Sequence, residues 1–261
     1  MNHYLEVDID SLGNKYLVVH SGSRNLGVQV ARYYQEKAVE YHTEMRKKDR
    51  QRLIDYHKVS GTEDKIEASL KRYDTENPPL PEELCYLEGE LLEDYLWDMK
   101  ICQDFADENR LSILLLISAA MGWYKEGEIK PAFNVRHNYI DVGNRYMVRK
   151  GAISAEEDEV VFIPINMRDG AILGRGLGNS DYNYSAPHGA GRLMSRKAAK
   201  ANIQISEVDE AMKDIYSTTY ADAIDEAPQA YKPIESIIEN IKDTVEIIDI
   251  LKPLYNFKAG E

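Results

Sequence analysis

Two long stretches of helical patterning interrupt a chain that otherwise reads as short strands and loops, and this alternation constrains the fold most. From about Val28 to His57, Val30, Tyr33, Tyr34, Ala38 and Tyr41 recur at steps of three and four. A second helix is expected from about Glu88 to Met121, with Leu91, Leu92, Tyr95, Leu96, Met99 and Cys102 on one face. Ahead of them, Tyr4 to Ile9 alternates, and Lys15 to His20 is apolar and β-branched after the turn signal Gly13-Asn14. Lys58 to Pro81 is polar, closes on Pro78-Pro79-Leu80-Pro81, and is expected to be a surface excursion. Strands are expected around 134–139, 146–149 and 159–164. The glycine-rich run from Gly170 to Gly178 is expected to break regular structure. A helix is expected near Gly189, carrying Arg192, Met194, Arg196 and Ala198. A last one should follow Pro233, with Ile234, Ile237, Ile238, Ile241, Val245, Ile248 and Leu251 as its stripe. No repeat or linker divides the chain. The class is mixed α+β.

Composition narrows the function. With 261 residues, 43% hydrophobic and 30% charged, the chain is globular rather than disordered. Its 45 acidic against 32 basic residues give a net charge of -13, which disfavours a bulk electrostatic grip on DNA but allows a local basic site. Cys85 and Cys102 lack metal-ligand spacing and form no disulfide framework, so a reducing, cytoplasmic setting is expected. The longest apolar run, Leu111 to Trp123, is broken by Ser112, Ser118 and Gly122 and falls short of the ~20 residues of a membrane span. Glu6, Asp8 and Asp10 occupy the place of a signal peptide's apolar stretch.

Chemistry is carried by histidines and arginines. His3, His20, His137 and His188 lie at strand ends or in loops, where several imidazoles can converge on a metal. Each taken alone is more readily a satisfied core or loop histidine. His42 and His57 are expected on a solvated helix face. Arg24, Arg136, Arg149, Arg175, Arg192 and Arg196 fall in loops rich in glycine and histidine, and guanidinium forks grip phosphate; an ordinary surface ion pair is the alternative for each. Amides around Gly189 and Gly191, at a helix start, would add an anion nest. Asp225-Glu226-Ala227-Pro228 is equally a helix lead-in or a functional element. There is no phosphate-binding loop ending in Gly-Lys-Ser/Thr, no Gly-x-Ser-x-Gly elbow and no His-Glu-x-x-His helix.

Four segments together resemble the RtcB family of RNA-splicing ligases: His20-Ser21-Gly22-Ser23-Arg24, Arg149-Lys150-Gly151-Ala152, Ser185-Ala186-Pro187-His188-Gly189-Ala190-Gly191-Arg192 with Ser195-Arg196, and Asp225-Glu226-Ala227-Pro228-x-x-Tyr231-Lys232. The resemblance runs from Asn2 to Lys258. It implies an RtcB-like α+β fold of mixed sheets with long peripheral helices. It further implies a single catalytic domain over 1–261, the carboxy-terminal portion of the family's chain, with a helical surface excursion at about 28–121. Family members join an RNA 3′-phosphate or 2′,3′-cyclic phosphate to a 5′-hydroxyl using GTP and Mn²⁺, through a guanylylated histidine. By motif, His188 resembles that nucleophile, and His3, His20 and His137 resemble metal ligands. Asn2, Glu6, Ser185, Gly189, Ala190, Gly191, Arg192, Tyr231 and Lys258 resemble the guanylate surroundings. Arg24, Arg192 and Arg196 resemble phosphate contacts.

The pattern departs from the family in two places. An upstream Asp-x-x-Cys motif, whose aspartate and cysteine complete the metal pair, does not occur in this sequence. Pro164-Ile165-Asn166-Met167 stands where a Pro-Gly-Ser/Thr-Met form is common. The expected partners are therefore RNA ends, no membrane, and an activating protein or a complementing amino-terminal segment. Two alternatives stand beside ligation: a partner-dependent nucleotide- or metal-binding fragment, and a metal-dependent phosphoesterase acting on cyclic phosphates.

Overall fold

The computed structural model describes residues 3–123, 132–143, 146–217 and 223–258. The chain forms two compact units, one of Ser23–Phe105 and one of Met1–Gly22 with Ala106–Glu261.

The first unit is helical. Its elements are α1 (Arg24–Val59), α2 (Ile66–Glu76) and the leading part of α3 (Gly89–Ala120). At 36 residues α1 is about 54 Å long. The tyrosines that suggested a helix are buried in part: Tyr34 is inside and its hydroxyl donates to Asp98 at 2.8 Å. The polar stretch after Lys58 is not an irregular excursion, because it contains α2. His57 is not on a solvated face either. It is buried, with Nδ1 2.8 Å from Thr62 Oγ1 and Nε2 2.8 Å from Ser69 Oγ, so two short hydroxyl side chains satisfy the ring and fix the corner between α1 and α2. No helix among the described residues is long and apolar enough to cross a membrane.

The second unit carries the sheets. Strands β1 (Tyr4–Ile9), β2 (Lys15–His20), β3 (His137–Asp141), β4 (Met147–Ser154), β5 (Val160–Asn166), β6 (Gly170–Gly176), β7 (Ser185–Pro187), β8 (Tyr216–Ser217) and β9 (Val245–Lys258) form two sheets. One has the order β2-β1-β9-β6-β5 with β8 added in parallel to β9; the other is β3-β4-β7. Helices α4 (Arg196–Asn202), α5 (Ile205–Met212) and α6 (Ile234–Ile241) complete the unit. On β5, alternation points Val161, Ile163 and Ile165 inward, where they meet Ile172, Ile241 and Val245. A second cluster gathers Met167, Ala199, Val208 and Met212.

Three expectations from the sequence are corrected here. The glycine-rich run does not break structure but forms β6, buried along almost its whole length. Its glycines serve close packing: a Cβ on Gly176 would lie 2.3 Å from the Glu156 carbonyl oxygen. The helix expected near Gly189 begins only at Arg196, where the Ser195 hydroxyl caps it by accepting from the Ala198 amide at 3.1 Å. The last apolar stripe is half helix and half strand. It turns at Lys242–Thr244, and beyond that point burial of Val245, Leu251 and Pro253 follows a two-residue period.

The Gly176→Val variant is therefore expected to lose about 3 kcal/mol of stability through backbone collision. Urea unfolding checks this: the midpoint should fall while the slope is kept.

Candidate active site

One face of the larger sheet is lined by polar side chains where an apolar core would be expected. Period-two alternation on β1 places Tyr4, Glu6 and Asp8 on the same side, all buried. The register sets Tyr4 opposite His20 on β2 and opposite Lys258 on β9, and Glu6 opposite Asn256. The Tyr4 and His20 rings stack at 4.9 Å, and Lys258 Nζ lies 5.3 Å from the Tyr4 ring centre. Burial opposes charge throughout this row. It pushes Glu6 up to about 8, with the neighbouring Asp8 carboxylate adding to the rise, and Asp8 to about 7. It also lowers Lys258, although the Glu6 carboxylate pulls the ammonium back toward the charged form. Both Asp8 carboxyl oxygens and Asn256 Oδ1 are buried without a hydrogen-bond partner.

A file of imidazoles continues from this row. The His20 and His137 rings stack at 5.4 Å, and His137 meets His188 at 4.9 Å with the planes tilted by 47°. Burial, assisted by the neighbouring His137, pushes His20 down to about 3, and burial lowers His137, so both rings are neutral near pH 7. The loops holding them are tied by a network that the sequence did not reveal. Arg110 donates to the Ser21 carbonyl at 2.8 Å and to Asn134 Oδ1 at 2.9 Å, and Asp107 pairs with both Arg110 and Arg136. The signal for Asp107 and Arg110 is slight, because they sit among other polar residues (Gln103, Asp104, Glu108 and Asn109) that read as an ordinary solvated stretch of helix.

His188 has one ring nitrogen fixed. Its Nδ1 lies 2.7 Å from the Gly151 carbonyl oxygen. A carbonyl only accepts, so Nδ1 carries the hydrogen and Nε2 keeps its lone pair. Gly151 is itself held, because its amide donates to Asn138 Oδ1 at 2.7 Å, and its φ of +68° is a conformation that glycine adopts without strain. Ser185 begins β7, three residues before His188. Its hydroxyl accepts from Arg149 Nε at 3.1 Å and donates to the Asn183 carbonyl at 2.8 Å.

The arginines divide. Arg149 is 2% exposed and pairs with Asp141 at 2.5 Å, which clamps β4 to β3. Arg136 is an ion-pair residue as well. Arg192 reaches Glu226 at 3.2 Å and the Tyr231 hydroxyl at 3.3 Å; Tyr231 in turn donates to Glu226. Arg196 pairs with Glu226 at 3.3 Å and is 40% exposed. Asp225 and Glu226 anchor this basic cluster from a short 3-10 turn, Ile224–Glu226, that precedes α6. Arg24 opens α1 and belongs to the helical unit. Asn2 lies outside the described residues. No helix starts at Gly189 or Gly191, and the Ala190 amide donates to the Pro164 carbonyl at 3.1 Å, so the expected anion nest at a helix start is not formed.

Neutral, buried imidazoles are suitable metal donors, and His137 Nδ1 is buried without a hydrogen-bond partner. Among the described residues, however, no three His, Cys, Asp or Glu side chains form a group that could hold a metal ion. The donors fit Mn²⁺ in chemistry but do not close a cage.

The family model of the tRNA-splicing ligase RtcB matches residues 1–259. The RNA-splicing ligase RtcB1 of Escherichia coli strain ATCC 25922 is 28% identical over 99% of this chain and 59% of its own length. RNA-splicing ligase RtcB of Escherichia coli K12 is 27% identical with the same coverage. The tRNA-splicing ligase RtcB of Aeropyrum pernix is 25% identical over 91% of the chain and 53% of its own length. The chain thus spans between half and three fifths of the relatives' length.

Asp8 gives a pH signature. In the folded state its carboxyl keeps a proton up to about pH 7, whereas the unfolded chain releases it near pH 4. Between those values the folded state holds the extra proton, so this group's contribution to stability falls as pH rises through the window. The Asp8→Asn variant should flatten the decline in unfolding free energy between pH 5 and pH 7. Denaturant titrations at each pH would show it, and an unchanged slope would contradict the assignment.

Proposed function

This chain belongs to the RtcB family of tRNA-splicing ligases, and from that premise we propose that it carries the nucleotidyl-transfer centre of an RNA ligase acting at 3′-phosphate or 2′,3′-cyclic phosphate and 5′-hydroxyl ends. The observation that carries the proposal is the His188–Gly151 hydrogen bond, which leaves Nε2 as a free nucleophile. In this reading His188 Nε2 attacks the α-phosphorus of GTP. A P–N bond forms, the bond to pyrophosphate breaks, and the Nδ1 proton stays shared with the Gly151 carbonyl. The guanylyl group then passes to the RNA 3′-phosphate, and the 5′-hydroxyl displaces GMP. The reaction is placed in the cytoplasm.

The remaining side chains divide the work. Glu6, Tyr231 and Lys258, with Asn2, surround the guanylate in this reading. Ser185, Gly189, Ala190 and Gly191 form the small-residue wall that lets a nucleotide approach His188 closely. Arg192 and Arg196 hold phosphate, with Glu226 and Tyr231 fixing the direction of the forks. Arg24 is assigned to the RNA phosphates. His3, His20 and His137 would hold Mn²⁺ together with further donors. Such an ion, when bound, neutralises triphosphate charge and favours in-line displacement.

A second reading has its own support. Because the imidazoles do not close a metal group among the described residues and the chain spans 59% of its first relatives, the centre could need a complementing segment or an activating protein. One experiment separates the two. The protein is incubated with GTP labelled on the α-phosphate and with Mn²⁺, beside His188→Ala. An acid-labile label lost in the variant supports ligase chemistry in the chain as it stands. A label that survives His188→Ala overturns the assignment. No label until the family's amino-terminal segment is supplied in trans supports the second reading.

A further inference from the structure

We propose that the corner between α1 and α2 is a grip for the backbone of single-stranded RNA, separate from the histidine site. That its ligand is RNA rests on the family reading above; the surface itself rests on the following observations. Residues 46–72 contain nine basic and five acidic side chains, in a chain whose net charge is -13. The rest of the protein repels a polyanion, so RNA held beyond its reacting ends needs a local cationic surface.

Helical spacing organises this surface. Lys48, Arg52 and Tyr56 recur every four residues and form one exposed row on α1, with Lys58 exposed just beyond. Tyr56 is 65% exposed. A large ring left in water beside cations matches the pattern by which single-stranded nucleic acid is held, with phosphates on the basic groups and a base stacked on the aromatic face. That interleaving favours RNA over an acidic protein, which would use the charges and leave the ring idle.

The row is displayed on a rigid support. His57, next to Tyr56, is buried and pinned through both nitrogens to Thr62 and Ser69. On the opposite side of α1, Arg46 and Arg50 are both spent on Asp74 of α2, so they brace the corner and are not part of the grip. Arg52 contacts Asp49 at 3.0 Å, but that guanidinium is 74% exposed. Such solvent-exposed pairs are weak and yield readily to a phosphate. Side-chain order is therefore invested beneath the row, and the cations on the row stay available.

Fluorescence anisotropy tests the proposal, using the whole protein and a single-stranded RNA with hydroxyls at both ends, which cannot be ligated. Binding is measured across a series of salt concentrations. Replacing Lys48, Arg52 and Lys58 by Gln should lower the slope of log affinity against log salt by about 2, from about 0.7 per lost contact. Tyr56→Ala should weaken binding about fivefold or more with little change in slope. The arginine-retaining control, Lys48→Arg with Lys58→Arg, should bind as the parent does. Circular dichroism checks that the helices persist in each variant. Unchanged affinity and slope in the triple variant overturn the proposal. So does poly-glutamate that displaces the RNA at equal charge, because the corner would then be a general anion patch. Labelling by GTP in the same variants should be unaffected. A label that survives His188→Ala would sink the histidine assignment while leaving the salt-slope result to decide this one.

Discussion

The pairing of β9 with its neighbours is the constraint on which the sheet-bearing unit depends. This one strand hydrogen-bonds to β6 over its first half and to β1 over its second, with β8 added alongside the second half. Register shifts on both sides let it serve two sets of partners. Through it the apolar core around Ile163, Ile172 and Val245 is continuous with the polar row of Tyr4, Glu6, Asp8 and Lys258. Without β9, the acids of β1 would face water, and neither Glu6 nor Asp8 would be pushed so far above the ordinary carboxylate range.

The polar row has an energetic cost. Buried carboxyls and an ammonium with few donors between them oppose folding. Apolar burial elsewhere in the unit offsets it, with Ile163, Ile172, Ile241 and Leu251 almost wholly enclosed. His188 shows the same division of labour on a smaller scale. Its tautomer is set by a carbonyl, that carbonyl by a glycine at positive φ, and that glycine by Asn138. Together these contacts determine which nitrogen of His188 carries its hydrogen.

Much of the α+β organisation was legible. The first two strands and both long helices could be read from periodicity, because amphipathic repeats longer than two turns leave little ambiguity. The failures share a physical cause. In β6 the glycines make room for neighbouring backbone, and composition alone cannot tell close packing from flexibility. At 234–251 isoleucine and valine fit both a three-to-four and a two-residue period, and only the turn at Lys242–Thr244 separates them. His57 appeared solvated because its hydroxyl partners lie five and twelve residues along the chain. In the site, the motif histidines were visible, and three of their rings do lie in one file. Two of the six loop arginines have structural partners that the sequence does not disclose. Arg149 and Arg136 are held by Asp141 and Asp107, and ion pairs between distant segments leave no mark on local sequence.

The register of β1 against β9 also orders events in time. Tyr4 and Lys258 face each other although more than two hundred residues separate them in the chain. On a ribosome, the half of the site bearing His20 and Glu6 emerges long before the strand that covers it. Until that strand arrives, Glu6 and Asp8 are hydrated and ionised, and β1 has one open edge. Formation of the buried acid row thus comes late in the making of this sheet, because it waits on a strand more than two hundred residues downstream of β1.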